Sequence, residues 1–524
     1  MIRRRYFTTI AAAATAALLL GACGGGGGGK SAGGSTGATG KPVAGGSARV
    51  LTLSELRTLD PAQMGNNFVS GAIIGNALYG TLLTDDPQSG KIRGSLAKSF
   101  SSSDGGKTFE LKLRDGLTFS DGTPLDAAAV KYNWDRMRLP ATASPYQADA
   151  SLVTSTKTVD ATTLKVTLAE PMAQFAQSVV TTSMNWIASP AALGKGAKAY
   201  DAHPVGAGPY TLKEWRRQDA MVLVKNPKYW DAPKPYLDQL TLTVALDATQ
   251  RVNTVISGGA DLAIEQNWEN LKKASDAGLP TTTSPLSGGT YLALNTRRTP
   301  FNDIRAREAL ADAIDFNAVN ASVYNGTGET VDTVFRKSSP FYSDIPVGKP
   351  DAAAAQKLFD EIAADGKPVS FTFTTTASTE NKAQAESIQS QLSKFKNVTM
   401  KIKVVDYAEF IPLQTSHDFD AVVSSAAFND PEPRLWTAFQ GDSPTNMTGI
   451  DDAQLNQALL KGRTATTVAD RKAAYETVQR RLVALRPMLW ILRNAGSAIS
   501  GKNVGGLTQY GFGSLLPEDL WIKH

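Results

Sequence analysis

The sequence predicts a mixed α/β body of several domains, and three observations carry that prediction. Apolar and polar residues alternate in short segments: Phe109, Leu111 and Leu113; Leu164, Val166 and Leu168; Leu240, Leu242, Val244 and Leu246. Period-two alternation marks half-buried strands. Helical stripes are equally plain. Asp126 can cap a helix whose Val130, Trp134 and Met137 share one face, and Asn302 or Asp303 can cap Ile304 to Ile314. Tyr475, Val478, Leu482 and Leu485 stripe a late helix that ends at Pro487. Finally, strands and helices interleave from about residue 48 to the end, with no second long linker and no internal repeat. The 524 residues allow about three domains, in one α/β or α+β unit rather than beads on a string.

Composition narrows the function classes. A mean hydropathy of −0.19 is ordinary for a folded soluble body, and the chain is long enough to bury large cores without staples. The single cysteine excludes a disulfide framework and a cysteine-based zinc site. The three histidines, His203, His417 and His524, form no His-x-x-x-His pair, so neither a metal nor a cofactor is expected. His417 reads as a solvated surface histidine rather than a nickel ligand. The formal charge of +5 comes without long basic runs, which argues against a nucleic-acid partner.

The N-terminus reads as an export signal. Arg3, Arg4 and Arg5 precede an apolar run from Ile10 to Leu20, too short for the roughly 20 residues of a bilayer span. Leu20-Gly21-Ala22-Cys23 resembles a bacterial lipobox, which implies cleavage after residue 22 and diacylglycerol on Cys23. Arg4-Arg5-Tyr6-Phe7 also fits the core of a twin-arginine signal, so the general and the twin-arginine export routes both stay open. Residues 23–47, opening on six glycines, are expected to be a lipidated flexible tether. The phosphate-loop and nucleophile-elbow patterns within it lack the flanking strand and helix they require. Ser95-Leu96-Ala97-Lys98 likewise has no companion motif.

Ser95 to Met137 reads SLAKSFSSSDGGKTFELKLRDGLTFSDGTPLDAAAVKYNWDRM. It closely resembles the signature region of bacterial extracellular solute-binding protein family 5, the peptide/nickel type that serves ABC importers. Thr58 to Pro61, Val205 to Tyr210, Trp215, Asn226 to Trp230, Tyr291 to Asn295, Pro300-Phe301, Arg305 to Asp315 and Asn503 to Gly506 match in order. Individually these residues read as scaffold. Asp121-Gly122 makes a turn, Trp134, Trp215 and Trp230 pack, and the glycines of Gly206-Ala207-Gly208-Pro209 are expected to supply unusual backbone angles.

The resemblance implies a two-lobed periplasmic-binding-protein-like fold with a hinge between lobes. Residues 48–75, 205–285 and 490–524 would form the core of the first lobe, 76–204 its extra domain, and 286–489 the second lobe. Ligand would bind between the lobes and be handed to an ABC permease with its ATPase. The protein would be a monomeric receptor on the outer face of the cell membrane, extracellular or periplasmic, and not an enzyme. An oligopeptide or related solute is the first expectation. An oligosaccharide or other non-peptide solute is the alternative, a signalling or chaperone-like receptor would look the same, and a secreted hydrolase is the opposing class.

Departures from the family pattern bear on the ligand. Family peptide binders place an Asp after a buried strand of the second lobe to pair with the peptide's amine. Here Phe419 to Val423 is that strand, and aligning Asp430-Pro431 puts Ala427 at the anchoring position and Ser424 at a usual Trp. A buried ammonium without a carboxylate costs several kcal/mol, which argues against the free-amine mode. Asp430 or Glu432 can substitute, although Asp430 also fits a turn with Pro431. The residues expected to line the cleft are Asn67, Phe68, Trp268, Ser425, Ala427, Asn429, Asp430, Trp436 and Trp490.

Overall fold

The computed structural model describes residues 37–523 other than Ser70. The expected signal, Cys23 and the glycine run lie outside the described residues. From residue 37 the expected tether is already docked: Ala38 N donates to Val504 O at 2.9 Å and Gly45 N to Tyr236 O at 2.8 Å.

The first lobe is built on a seven-stranded sheet. Its strands run in the order Thr281–Thr283, Ser497–Ser500, Leu262–Glu265, Ser47–Thr52, Gln239–Val244, Ala220–Lys225 and Tyr210–Trp215. Ser47–Thr52 lies parallel to Gln239–Val244 and to Leu262–Glu265, and the remaining pairs are antiparallel. Leu246, expected to extend the alternation, is 78% exposed. The ladder ends where Ala245 N bonds Thr52 O, and Asp247 then caps the helix Ala248–Ile256.

A four-stranded antiparallel sheet, in the order Ala97–Ser101, Thr108–Leu113, Thr163–Leu168 and Val153–Thr158, lies in the segment expected to be the extra domain. Phe109 faces Val166 and Leu111 faces Leu164 across the ladder, as alternation predicts. The helix Ala127–Met137 joins this core through Trp134, whose indole donates to Met184 O at 2.8 Å. Asp126 caps that helix by accepting from Ala129 N.

Gly206 and Gly208 serve close approach instead of unusual angles. A Cβ on Gly206 would lie 2.2 Å from Leu78 O, and one on Gly208 2.3 Å from Ala77 O, with φ at neither in the left-handed region. The end of the helix Gly71–Tyr79 therefore packs directly on this backbone.

The second lobe carries a five-stranded sheet in the order Val398–Val405, Val369–Thr376, Ala421–Phe428, Ser287–Leu294 and Met488–Trp490. The first three are parallel neighbours, and the last two pair antiparallel. Asp303, not Asn302, caps the helix Ile304–Ala313. Val468–Leu485 ends at left-handed Arg486, just before Pro487.

The chain crosses between the sheets twice, at residues 284–286 and again after Leu492. Ser284 N donates to Gly496 O at 2.9 Å, so the two crossings run side by side. Trp490 pairs with Tyr291 in the second sheet. The return therefore comes after Leu492 and not at Trp490, because Met488–Trp490 completes the edge of that sheet.

Candidate functional site

The site grows from the strand Ala421–Phe428. Val422, Ala426 and Phe428 face one core of the second lobe, while Ala421 and Val423 face the other. Ser425 and Ala427 continue the second face beyond its helical cover, exposed and half-buried respectively. Ser287–Leu294 pairs with this strand over its whole length, whereas Val369–Thr376 pairs only at Ala421 and Val422. Among the described residues no pairing reaches the other edge from Ser424 to Phe428, past the last pair at Val422. Gly288 and Gly289 keep the neighbouring strand thin there: both have positive φ, and a Cβ on Gly289 would meet Leu492 O at 2.2 Å.

The return crossing closes one side of this strand end. Ser425 Oγ donates to Asn494 Oδ1 at 3.2 Å. Arg493, 5% exposed, donates to Gly288 O, Val334 O and Thr333 O. Burial and the nearby Arg336 pull its pKa down to about 10. Trp268 opens the helix Trp268–Asp276 of the first lobe and donates from its indole to Arg493 O at 3.1 Å. Trp268 therefore sits on the hinge.

Beyond the strand, the lobes touch. Asn429 Nδ2 donates to Asp85 Oδ2 at 3.0 Å and to Asp86 O at 3.2 Å. Asp85 Oδ1 accepts Gly511 N at 2.6 Å. Burial pushes the Asp85 carboxyl up, and these two donors oppose that rise. The next residue, Phe512, offers its ring to the Arg434 guanidinium at 4.9 Å. Arg463 lies over Trp436 at 4.4 Å, and its Nη2 approaches Met172 Sδ of the first lobe at 3.1 Å.

Asp430 is held inside the second lobe. Arg471 donates to both of its oxygens, at 2.6 and 2.7 Å, and Oδ1 also accepts Glu432 N. A buried carboxylate locked bidentately is not a free anchor for an amine. Glu432, 1% exposed, is pushed up to about 7 by burial, against the pull of Arg463 and Arg471.

The structure thus gathers Ser425, Ala427 and Asn429 at one strand end, with Asp430 and Trp436 one layer behind. Trp490 is 6% exposed and packs edge-on to Tyr291 at 5.5 Å, so it is core. Phe68 packs against the first lobe's core, and exposed Asn67 accepts from Val69 N. His417 is only half-exposed, and its buried Nε2 has no partner among the described residues. Sequence reasoning missed Asp85, Asn494, Arg434 and Phe512. Among the described residues no cluster of three or more His, Cys, Asp or Glu could hold a metal, and no helix is long and apolar enough to cross a membrane.

The family model described as bacterial extracellular solute-binding proteins, family 5 Middle, matches residues 91–446. The chain belongs to family 5 of the bacterial extracellular solute-binding proteins. Among curated relatives, the glutathione-binding protein GsiB of Shigella boydii serotype 4 (strain Sb227) is 32% identical over 338 residues, 64% of each chain. GsiB of Escherichia coli (strain K12) is 31% identical over the same length. The chain spans about two thirds of the length of these relatives.

Among solved structures, the PBP AgaA from A. tumefaciens R10, in complex with agropinic acid, is 25% identical with a TM-score of 0.79, covering 91% of this chain and 99% of that one. DppA from Helicobacter pylori, in complex with peptide STSA, is 20% identical with a TM-score of 0.78, covering 92% and 99%. This family 5 chain shares their two-lobed fold. Its strand end carries the methyl of Ala427, and the nearest acid in sequence, Asp430, is spent on Arg471.

Proposed function

We propose that this chain is the solute-capturing receptor of an ABC importer and takes a peptide or peptide-like organic acid between its lobes. The observation that carries the reading is the unpaired strand edge from Ser424 to Phe428 beside the hinge. Such an edge presents main-chain donors and acceptors to any extended amide backbone, whatever its side chains. Of the ligands named for the similar proteins, glutathione and the peptide STSA are of that kind. Asn429 and Asp85 then join the lobes over the occupied edge.

In this reading the first lobe comprises residues 48–75, 205–285 and the chain after Leu492, with 76–204 as its extra domain and 286–492 as the second lobe. The receptor works outside the cell, tethered through lipid on Cys23, and delivers its ligand to a permease and ATPase without chemical change.

Thermal unfolding against peptides, oligosaccharides and metal complexes tests this, with the recovered ligand checked for turnover. A ligand at 100 times its dissociation constant adds about 2.7 kcal/mol. A saturable shift with peptides and intact ligand is expected. A shift only with the other classes, or turnover, refutes the reading.

A further inference from the structure

The arginines around the strand end differ in one respect. Arg471 is consumed by Asp430. Arg493 is consumed by three carbonyls and lies 3.3 Å from Glu329. Arg463 is covered by Trp436, touches Met172 and lies 3.9 Å from Glu432. Arg434 alone of these four has no carboxylate in ion-pair contact and no hydrogen-bond acceptor for its guanidinium among the described residues. It opens the helix Arg434–Phe439, half-buried, with its guanidinium against the Phe512 ring of the other lobe. A short chain of contacts ties this place to the strand end: Phe512 follows Gly511, Gly511 bonds Asp85, and Asp85 bonds Asn429.

We infer that Arg434 recognises a carboxylate of the captured solute, so that this cleft selects an anionic end in place of a free amine. The inference rests on the receptor reading above and names its substrate class. A guanidinium laid on an aromatic face has lost water on one side yet keeps its planar fork of N–H groups, which matches a carboxylate bidentately. Ala427 removes the negative group that would favour an ammonium, and Arg434 adds a positive one nearby along the chain. Asp149, in the helix Gln147–Ser151 of the first lobe, is near enough to Arg434 to interact with its charge but forms no ion pair with it. Burial pushes that carboxyl up, and Arg434 and Arg463 oppose the rise. It is the group an incoming anion must contend with.

Isothermal titration of the full mature chain with trialanine, its C-terminal amide, its N-acetyl form and glutathione tests this. The free acids are expected to bind about 10–100-fold tighter than the amide, the worth of one charge-assisted hydrogen bond. N-acetylation is expected to change affinity by less than about threefold. Arg434→Gln should abolish the acid-to-amide ratio, Arg434→Lys should keep part of it, and Asp149→Asn should tighten the acids. The ratio is internal to each variant, and ligand-free melting temperatures report on folding separately. Equal binding of acid and amide, or an unchanged ratio in Arg434→Gln, overturns the inference and leaves the receptor reading intact. No binding by any of the four ligands overturns both.

Discussion

Replacing Asn429 by alanine removes the side chain that bonds the second lobe to the first. Two hydrogen bonds go: one to the Asp85 carboxylate at 3.0 Å and one to Asp86 O at 3.2 Å. A bond to a charged acceptor is worth about 1.5–3 kcal/mol and a neutral one about 0.5–1.5 kcal/mol. Asp85 is 3% exposed when the lobes meet, so it loses a donor it cannot replace from water. The closed arrangement is therefore expected to weaken by about 2–4 kcal/mol against the open one. Under the proposed function ligand binds the closed form, so its dissociation constant is expected to rise with the fraction opened, by up to about 30–1000-fold. Titration calorimetry reads the affinity, small-angle scattering of the ligand-free protein reads the opening, and a double-mutant cycle with Asp85→Ala isolates the pair. If Asn429→Ala lowers unfolding stability while affinity and solution dimensions stay put, the bond does not govern closure and the reasoning is wrong. A coupling energy below about 0.5 kcal/mol says the same.

Arg471→Met leaves Asp430 buried and unpaired and is expected to cost about 3–5 kcal/mol in chemical denaturation; a loss under about 1 kcal/mol would mean water reaches the site. Glu432 and Glu518 are both pushed up to about 7 by burial from a usual 4.5. Their raised values make the folded state bind more protons than the unfolded chain in that window, so they favour folding most below pH 4.5 and lose that contribution as pH rises through about 7. Glu432→Gln should flatten part of this slope in urea titrations from pH 4 to 8, leaving the part due to Glu518. Gly208→Ala sets a Cβ 2.3 Å from Ala77 O and should destabilise by about 1–3 kcal/mol, seen as a lower melting temperature. Ala427→Asp is expected to improve binding of free-amine peptides over their N-acetyl forms, and an unchanged preference would disprove the alignment that puts Ala427 at the amine position.

Half-buried elements were legible because burial imprints a period. Phe109, Leu111 and Leu113 lie in the strand their alternation predicts, and Asp126 and Asp303 cap the helices they precede. Leu246 misleads because alternation continues past the last ladder bond. The glycines at 206 and 208 were legible as special, but only packing tells a close approach from a strained angle. Ala427 could be found as a departure from a pattern. Asp85 and Phe512 could not, since Asn429 and Asp85 are 344 residues apart and Gly511 and Asp85 are 426 apart. Nothing local marks residues that meet only when lobes meet. Tryptophan identity fails for a different reason: the same ring suits core, hinge or cleft, and Trp490 and Trp268 fall on the first two.

The two crossings lie side by side, tied where Ser284 N meets Gly496 O. One connecting chain would act as a swivel, leaving rotation about every axis. Two chains in contact behave as a strip, which resists torsion and bends about one line. Opening and closing then trace a single path, and every point on the outer surface moves as a function of one angle. If the proposed function holds, a membrane partner that spans both lobes need gauge only one distance to tell a loaded receptor from an empty one, whatever solute lies inside.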